Sequence, residues 1–467
     1  MPKQIKQKEC TYMVSKKLSS FNIPEYIIST FHELCLFQYL QKANIYKRNG
    51  HEVKTIFTVV FSLVFQHITW NRLVNSKVKE SLPSKDAVYR FLSNASFNWR
   101  KFILLVSARM IQLCSSLTDC HRIKVFVIDD SPYDRSRSKK TEMLSTIFDH
   151  VSHKFFNGYH LLTLGWSDGA TFVPVDFSLV ATRKNLINGI DETIDKRTIA
   201  YKRRSECLSK KTDLAITMLE RALNHGIYAS QVLMDSWFSS AKMFERVSDL
   251  VLDMIGMLKS TTKQFFQYGN KSLNIHQLFN ESLKHGRHLT GTANIIRGIT
   301  VETLSGKALR IVFVVNRNNK SEWLAIASSD TILSDEEIIR IYEKRWSIET
   351  FFKAIKSTFR LEKEFQVQSF DALIAHTSIV FTRYIVVSWE IRKNSDDKTL
   401  GDLFYLMCDD IRDVTFIEAL KTLVTLINEL SASVSKQVTL KIEGMMNQWY
   451  EMMPKWLSEA LIMSSNV

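Results

Sequence analysis

The chain has 467 residues, 45% hydrophobic, so it is long enough for two to four domains with substantial cores. A formal net charge of +14 and a pI near 9.3 point to a polyanionic partner, because surplus Lys and Arg concentrate phosphates and release their counterions on contact. Six widely separated cysteines without a C-x-x-C pair argue against a disulfide framework or a cysteine zinc site and suit a reducing cytoplasm.

The N-terminal MPKQIKQKEC is charged with no apolar run behind it, which argues against a secretory signal. The most apolar run, Thr55 to Phe65, is too short to span a bilayer, and no membrane partner is expected. Residues 1–120 show helical periodicity over Pro24 to Leu40, Val53 to Asn75, Lys85 to Ser93 and Asn98 to Leu117, an all-helical N-terminal domain. Ser84 can cap a short helix presenting Lys85, Asp86 and Arg90 near its start. With the helix before it, this makes a candidate helix-turn-helix whose Lys85 and Arg90 would contact DNA, against the plainer alternative of a packing module with a charged surface.

The texture changes at Arg122, where RIKVFVIDDSPYDRSRSKK reads as a β-branched strand ending in Asp129 and Asp130 and followed by a basic loop. The segments GYHLLTLGWSDG and TFVPVDFSLV predict a hairpin turning at Asp168-Gly169. Residues 181–211 are polar and basic, a solvated loop or one that tracks phosphates. Helix Thr212–His225 then leads to the strand QVLMDSWFSS with Asp235 at its end, followed by helix Ala241–Leu250 and strand Val251–Lys259. Alternating strands and helices imply an α/β domain with a mixed sheet flanked by helices. Residues 261–330 contain short strand-like runs, a β-rich insertion. The α/β domain is therefore discontinuous, 121–260 and 331–400, with a helical region over 401–467 carrying Leu and Met stripes of core or oligomer type.

Ser334 to Leu361 predicts one long helix, opened by the capping-box pair Ser334 and Glu337. At about 100° per residue, Tyr342, Arg345, Glu349 and Lys356 share one edge and the apolar residues the adjoining arc. Taken alone, this is an amphipathic helix with an i,i+4 ion pair. The spacing Tyr, two residues, Arg, three residues, Glu, six residues, Lys resembles the signature of the insertion-sequence-four family of DNA transposases, and the segments around IDDSPYDRSRSKK and MDSWF are similar as well. The resemblance covers about Lys85 to Asp413.

That resemblance implies a ribonuclease-H-like catalytic core in which two aspartates and a glutamate hold two Mg²⁺ ions, with Mn²⁺ as a substitute. It implies cut-and-paste transposition, by hydrolysis at the element ends and transfer of the 3′-OH into target DNA. Three converging carboxylates suit such cations, and two-metal chemistry needs no histidine or thiolate. Asp129 and Asp130 point to opposite faces of a strand, so one of them leads the site. Relatives place Ser or Thr after the first acid, which favours Asp130, followed by Ser131; the expected catalytic and metal-binding set is thus Asp130, Asp235 and Glu349. By the same resemblance Arg345 and Lys356 would grip phosphates, Tyr342 would position the scissile region, and Trp323 would stack a flipped base, unless it is strand core. The expected partners are double-stranded DNA, as terminal inverted repeats and target, and a second copy when two ends are synapsed, at a bacterial nucleoid. A ribonuclease-H-fold nuclease without strand transfer and an inactive domesticated DNA-binding protein are the alternatives.

Overall fold

The computed structural model describes residues 23–75, 82–119, 121–149, 153–191, 193–284, 294–317, 319–394, 399–454, 457 and 461. The N-terminal decapeptide and residues 76–81, which contain the turn of the expected helix-turn-helix, lie outside them.

The N-terminal helices are α1 (Glu25–Glu33), α2 (Leu36–Lys42), α3 (Val53–Ser62), α4 (Trp70–Val74), α5 (Lys85–Leu92) and α6 (Trp99–Ser116). Two stretches expected as single helices are broken. Cys35, with φ 54°, separates α1 from α2, and a turn containing His67 at φ 51° separates α3 from α4. Thr69 restarts the chain as a helix by accepting from the Arg72 N–H, a local cap that competes with continuing the preceding helix. Ser84 caps α5 as the sequence suggests, accepting from the Ala87 N–H at 3.3 Å.

The centre is a mixed sheet. Its first half contains β1 (Val125–Asp134), β2 (Ser145–Asp149), β3 (Lys154–Ser167) and β4 (Phe172–Val180). Helices α7 (Ile199–Cys207) and α8 (Lys211–Asn224) precede β5 (Gln231–Met234), and α9 (Ala241–Ser248) precedes β6 (Asp253–Met257). Strand β1 runs parallel to β5 and β5 to β6, while β3 pairs antiparallel with β1, β2 and β4. This order, with three parallel strands beside an antiparallel meander, fits a ribonuclease-H-like core. Gly169, at φ 90°, makes the β3–β4 turn that Asp168-Gly169 predicts.

The insertion supplies β7 (Phe265–Tyr268), β8 (Lys271–Asn274), α10 (Ile275–Leu283), β9 (Ile295–Glu302), β10 (Ala308–Val315) and β11 (Trp323–Ser328). It continues the same sheet, because β11 pairs antiparallel with β6 through Ile326 and Met257, giving eleven strands among the described residues. The basic 181–211 stretch is not a loop throughout: α7 occupies its second half, and Arg203 and Arg204 are 5% and 2% exposed. Arg204 pairs with half-buried Glu142 at 2.6 Å and buried Asp371 at 2.8 Å, which hold a charge expected in solvent.

Helix α11 (Asp335–Tyr342), a 3₁₀ turn (Glu343–Arg345) and α12 (Trp346–Ser357) form the predicted long helix. Both halves of the Ser334–Glu337 capping box are made. Asp335 in the first turn pairs with Arg310 on β10, tying the helix start to the insertion. Ile348, Phe351, Phe352 and Ile355 are buried, and α12 packs over β1 and β4, as its apolar arc requires. Helix α13 (Phe370–Asn394) follows. Its Phe370–Lys393 stretch is long and apolar enough to cross a membrane, but 94% of that apolar window is buried among α1, α3, α5, α6 and β4. The N-terminal helices and the sheet thereby share one apolar core. Helices α14 (Leu400–Ala432) and α15 (Lys436–Met452) form the C-terminal region, with Leu423, Leu430 and Met445 exposed.

Gly158 lies where β3 is flanked by β1 and β2, and a Cβ there would stand 2.1 Å from the Tyr133 carbonyl oxygen. Gly158→Ala is expected to destabilise the protein by about 1–3 kcal/mol, because backbone rather than a flexible side chain must move. A urea midpoint equal to wild type would contradict this.

Candidate active site

Strand register decides which carboxylates share a face. Ile128 pairs with Met234 in the parallel β1–β5 ladder, so the next residues, Asp129 and Asp235, stand side by side. Equivalent positions on parallel neighbours project to the same face of a sheet, and Asp130 projects to the other. The Asp235 carboxylate is fixed by the backbone N–H of Trp237 at 3.0 Å and that of Phe238 at 3.4 Å, an Asx-type turn closing the strand end.

Arg345 connects this pair to the helix. Its Nη1 donates to Asp129 Oδ2 at 2.9 Å and its Nη2 to Glu349 Oε1 at 2.5 Å. The 3₁₀ turn ending at Arg345 re-aims the helix edge at this point, where such local tightening often accompanies function. Tyr342 does not face open space: its hydroxyl donates to the Met234 carbonyl at 3.3 Å, so it positions the strand end that carries Asp235. Burial pushes its phenol up to about 12.

The electrostatics are those of a crowded acid cluster. Burial and then the charge of Asp235 push the Asp129 carboxyl up to about 7, despite Arg345. Asp235 is also raised, by burial first, with the N–H bonds to Trp237 and Phe238 opposing and Asp130 adding to the rise. Arg345 is held above its ordinary value: burial would lower it, but Tyr342, Asp129 and Glu349 outweigh that.

Asp130, which the sequence favoured as the first acid, has other partners. Lys211 Nζ at the start of α8 lies 2.9 Å from Oδ1, and His160 Nδ1 on β3 lies 2.8 Å from Oδ2. Burial opposes ionisation here, but His160 and Lys211 outweigh it and hold Asp130 below the usual carboxylate range. The strand alternation that puts it on the His160 side is the reason it does not join Arg345.

Lys356 Nζ bonds Ser131 Oγ at 2.7 Å and the Pro132 carbonyl at 2.5 Å, further along β1. Trp323 is packed in the insertion, stacked on Phe279 at 4.6 Å between centroids and edge-on to His276 and Phe313. Lys85 and Arg90 are exposed on α5. Of the residues the sequence singles out, Arg345 and Glu349 are in contact and Asp235 lies within the charge field of Arg345, while Lys85, Arg90 and Trp323 lie on other elements. Sequence reasoning missed His160 and Lys211. His160 carried a faint signal, an imidazole beside the largely apolar run Leu161–Trp166, whereas nothing in sequence links Lys211 to a strand far upstream.

The donor set around Arg345 is all oxygen, which suits hard divalent cations. Among the described residues, no three His, Cys, Asp or Glu side chains are gathered closely enough to hold a metal as they stand. The Arg345 guanidinium lies between Asp129 and Glu349.

The raised Asp129 makes a prediction on stability. Between about pH 4 and 7 the folded state holds a proton that the unfolded chain has released, so stability falls as pH rises through this window. Asp129→Asn lacks that loss, and without added metal its advantage over wild type should grow by on the order of 2–3 kcal/mol from pH 5 to 8. A gap that stays constant across this range in denaturant titrations would contradict the electrostatics.

Residues 76–272 match the family model described as DDE superfamily endonuclease, and residues 195–385 match that described as Transposase DDE domain. These spans contain the acids on both strands and on the helix, respectively. No curated protein sequence matches the chain. Among solved structures, the piggyBac transposase synaptic complex with hairpin DNA is similar at 13% identity and TM-score 0.44, covering 85% of this chain and 82% of that one. The Drosophila P element transposase strand transfer complex is similar at 11% identity and TM-score 0.21, covering 51% and 50%. The two family matches overlap over residues 195–272 and together span residues 76–385.

Proposed function

We propose that the protein is a cut-and-paste DNA transposase of the insertion-sequence-four type, with Asp129, Asp235 and Glu349 as its metal-binding catalytic acids. The observation that carries this reading is the Arg345 bridge, which joins Asp129 on β1 to Glu349 on the helix beside Asp235. Two Mg²⁺ ions, or Mn²⁺, would supply activation of the attacking water or 3′-OH and neutralisation of the leaving oxygen. The chain's own residues do the rest. Arg345 swings from its carboxylates onto a phosphate, a planar fork suited to both partners. Lys356, held at Ser131, stands along β1 as a second phosphate contact, its ammonium pKa lowered by burial. Tyr342 keeps the β5 end in place. Exposed Lys85 and Arg90 on α5 add sequence-independent phosphate contacts at the element ends, and a second copy joins when two ends are brought together.

The test is strand transfer. A duplex carrying a pre-cleaved element end, incubated with supercoiled plasmid and Mg²⁺, is expected to give joined products. Hydrolysis of the intact end without joining would leave a nuclease, and absence of both activities would leave a DNA-binding protein.

A further inference from the structure

Of the tryptophans the structure describes, Trp237 and Trp346 are the exposed ones, at 48% and 62%. Both adjoin the acid cluster: Trp237 follows Asp235 by two residues, and Trp346 lies between Arg345 and Glu349. Leaving an indole in water forfeits its large apolar burial, so exposed indoles concentrated beside one polar site call for a partner that covers them.

Trp237 is the better prepared of the two. Its backbone N–H is bonded to Asp235 Oδ1, and its ring stands edge-on to buried Phe238 at 4.7 Å between centroids. Lys211 Nζ lies 4.0 Å from the ring centroid, and the same ammonium is pinned to Asp130 at 2.9 Å. The indole is thus anchored at its backbone, braced at its edge and paired with a fixed cation, while about half of the residue stays open. A rigid aromatic surface beside cations is what an unpaired nucleobase stacks on, and a base inside a duplex cannot reach it.

We propose that Trp237 is a stacking platform for a nucleobase of an unpaired DNA strand led to the acid cluster, with Lys211 bracing the ring. The assignment takes its biological role from the transposase reading, but its binding chemistry is measurable without catalysis. It also gives Asp130 a purpose other than metal binding, since Asp130 fixes the ammonium that braces the ring.

The experiment measures anisotropy of a dye-labelled 20-nucleotide oligo-dT strand, and of a blunt duplex of equal length, with the full chain in EDTA. Trp237→Ala and Trp237→Leu are expected to weaken single-strand binding by about 5- to 150-fold, Trp237→Phe by less than about threefold, and duplex binding by less than about twofold in every case. Leu keeps apolar volume at an exposed site without a π face, so the contrast with Phe separates stacking from folding. The proposal is overturned if Leu and Phe bind the single strand alike, or if single strand and duplex weaken together. Since EDTA removes cleavage from the readout, failure of the transposase reading appears only in the strand-transfer assay and leaves this result interpretable.

Discussion

Asp129→Asn is expected to lower divalent-cation-dependent cleavage of element-end DNA by at least about 10³-fold, more than the 10–100-fold typical of losing a group that merely supports a metal ligand. Asp130→Asn, one residue along the same strand, is expected to retain cleavage within about tenfold. Ile128 opposite Met234 aligns Asp129 with Asp235, and Arg345 reaches Asp129 but not Asp130. Asp130 instead pairs with Lys211, with His160 Nδ1 on its other oxygen, in a partly buried pocket, so its removal strands the Lys211 ammonium and is expected to cost about 3 kcal/mol of stability. Cleavage assays beside denaturant titrations separate the effects. If Asp130→Asn were inactive at wild-type stability and Asp129→Asn active, the assignment of the first acid would be reversed.

Arg383→Leu is expected to produce the largest loss of stability. The guanidinium is wholly buried in α13, donating to Glu364 at 2.6 Å, to the Val60 carbonyl at 2.6 Å and to the Phe61 carbonyl at 2.9 Å. His376 shares the same Glu364 oxygen at 2.9 Å. Burial works against an ionised Glu364, but Arg383 and the His376 hydrogen bond hold it below the usual carboxylate range. Removing the arginine leaves a buried carboxylate without its main counter-charge and two carbonyls at the end of α3 without donors. The expected cost is about 4–6 kcal/mol, a large part of what a folded chain has. Glu364→Leu combined with Arg383→Leu should recover part of it, since no lone charge is then buried. An Arg383→Leu protein with the wild-type urea midpoint would contradict the network.

How much of this was legible in the sequence depends on whether the signal was local. The capping box at Ser334, the hairpin at Asp168-Gly169 and the alternation of strands and helices after Arg122 are set by neighbouring residues, and the structure contains them. Arg345 and Glu349 were legible as a pair because both lie on one helix edge. The choice between Asp129 and Asp130 was not, because it depends on how β1 registers against β5, a contact between residues about a hundred positions apart. Residue order gave Ser131 as the cue, and the ladder points the other way. The same limit hid the burial of Arg204, whose carboxylate partners come from distant elements, and the pinning of Trp237 by Lys211. The Trp323 expectation met a tertiary fact of the same kind, the stack of Phe279 from α10 on its ring.

The central claim is that Asp129, Asp235 and Glu349 together perform phosphodiester chemistry. Its most direct test is cleavage, in Mg²⁺ and in Mn²⁺, of a labelled duplex bearing the element's own end by wild type, Asp129→Asn, Asp235→Asn and Glu349→Gln, each shown to bind that DNA in EDTA. The account predicts cation-dependent 3′-end cleavage by wild type alone, with binding retained by all four. Equal cleavage by wild type and any of the three variants would contradict it.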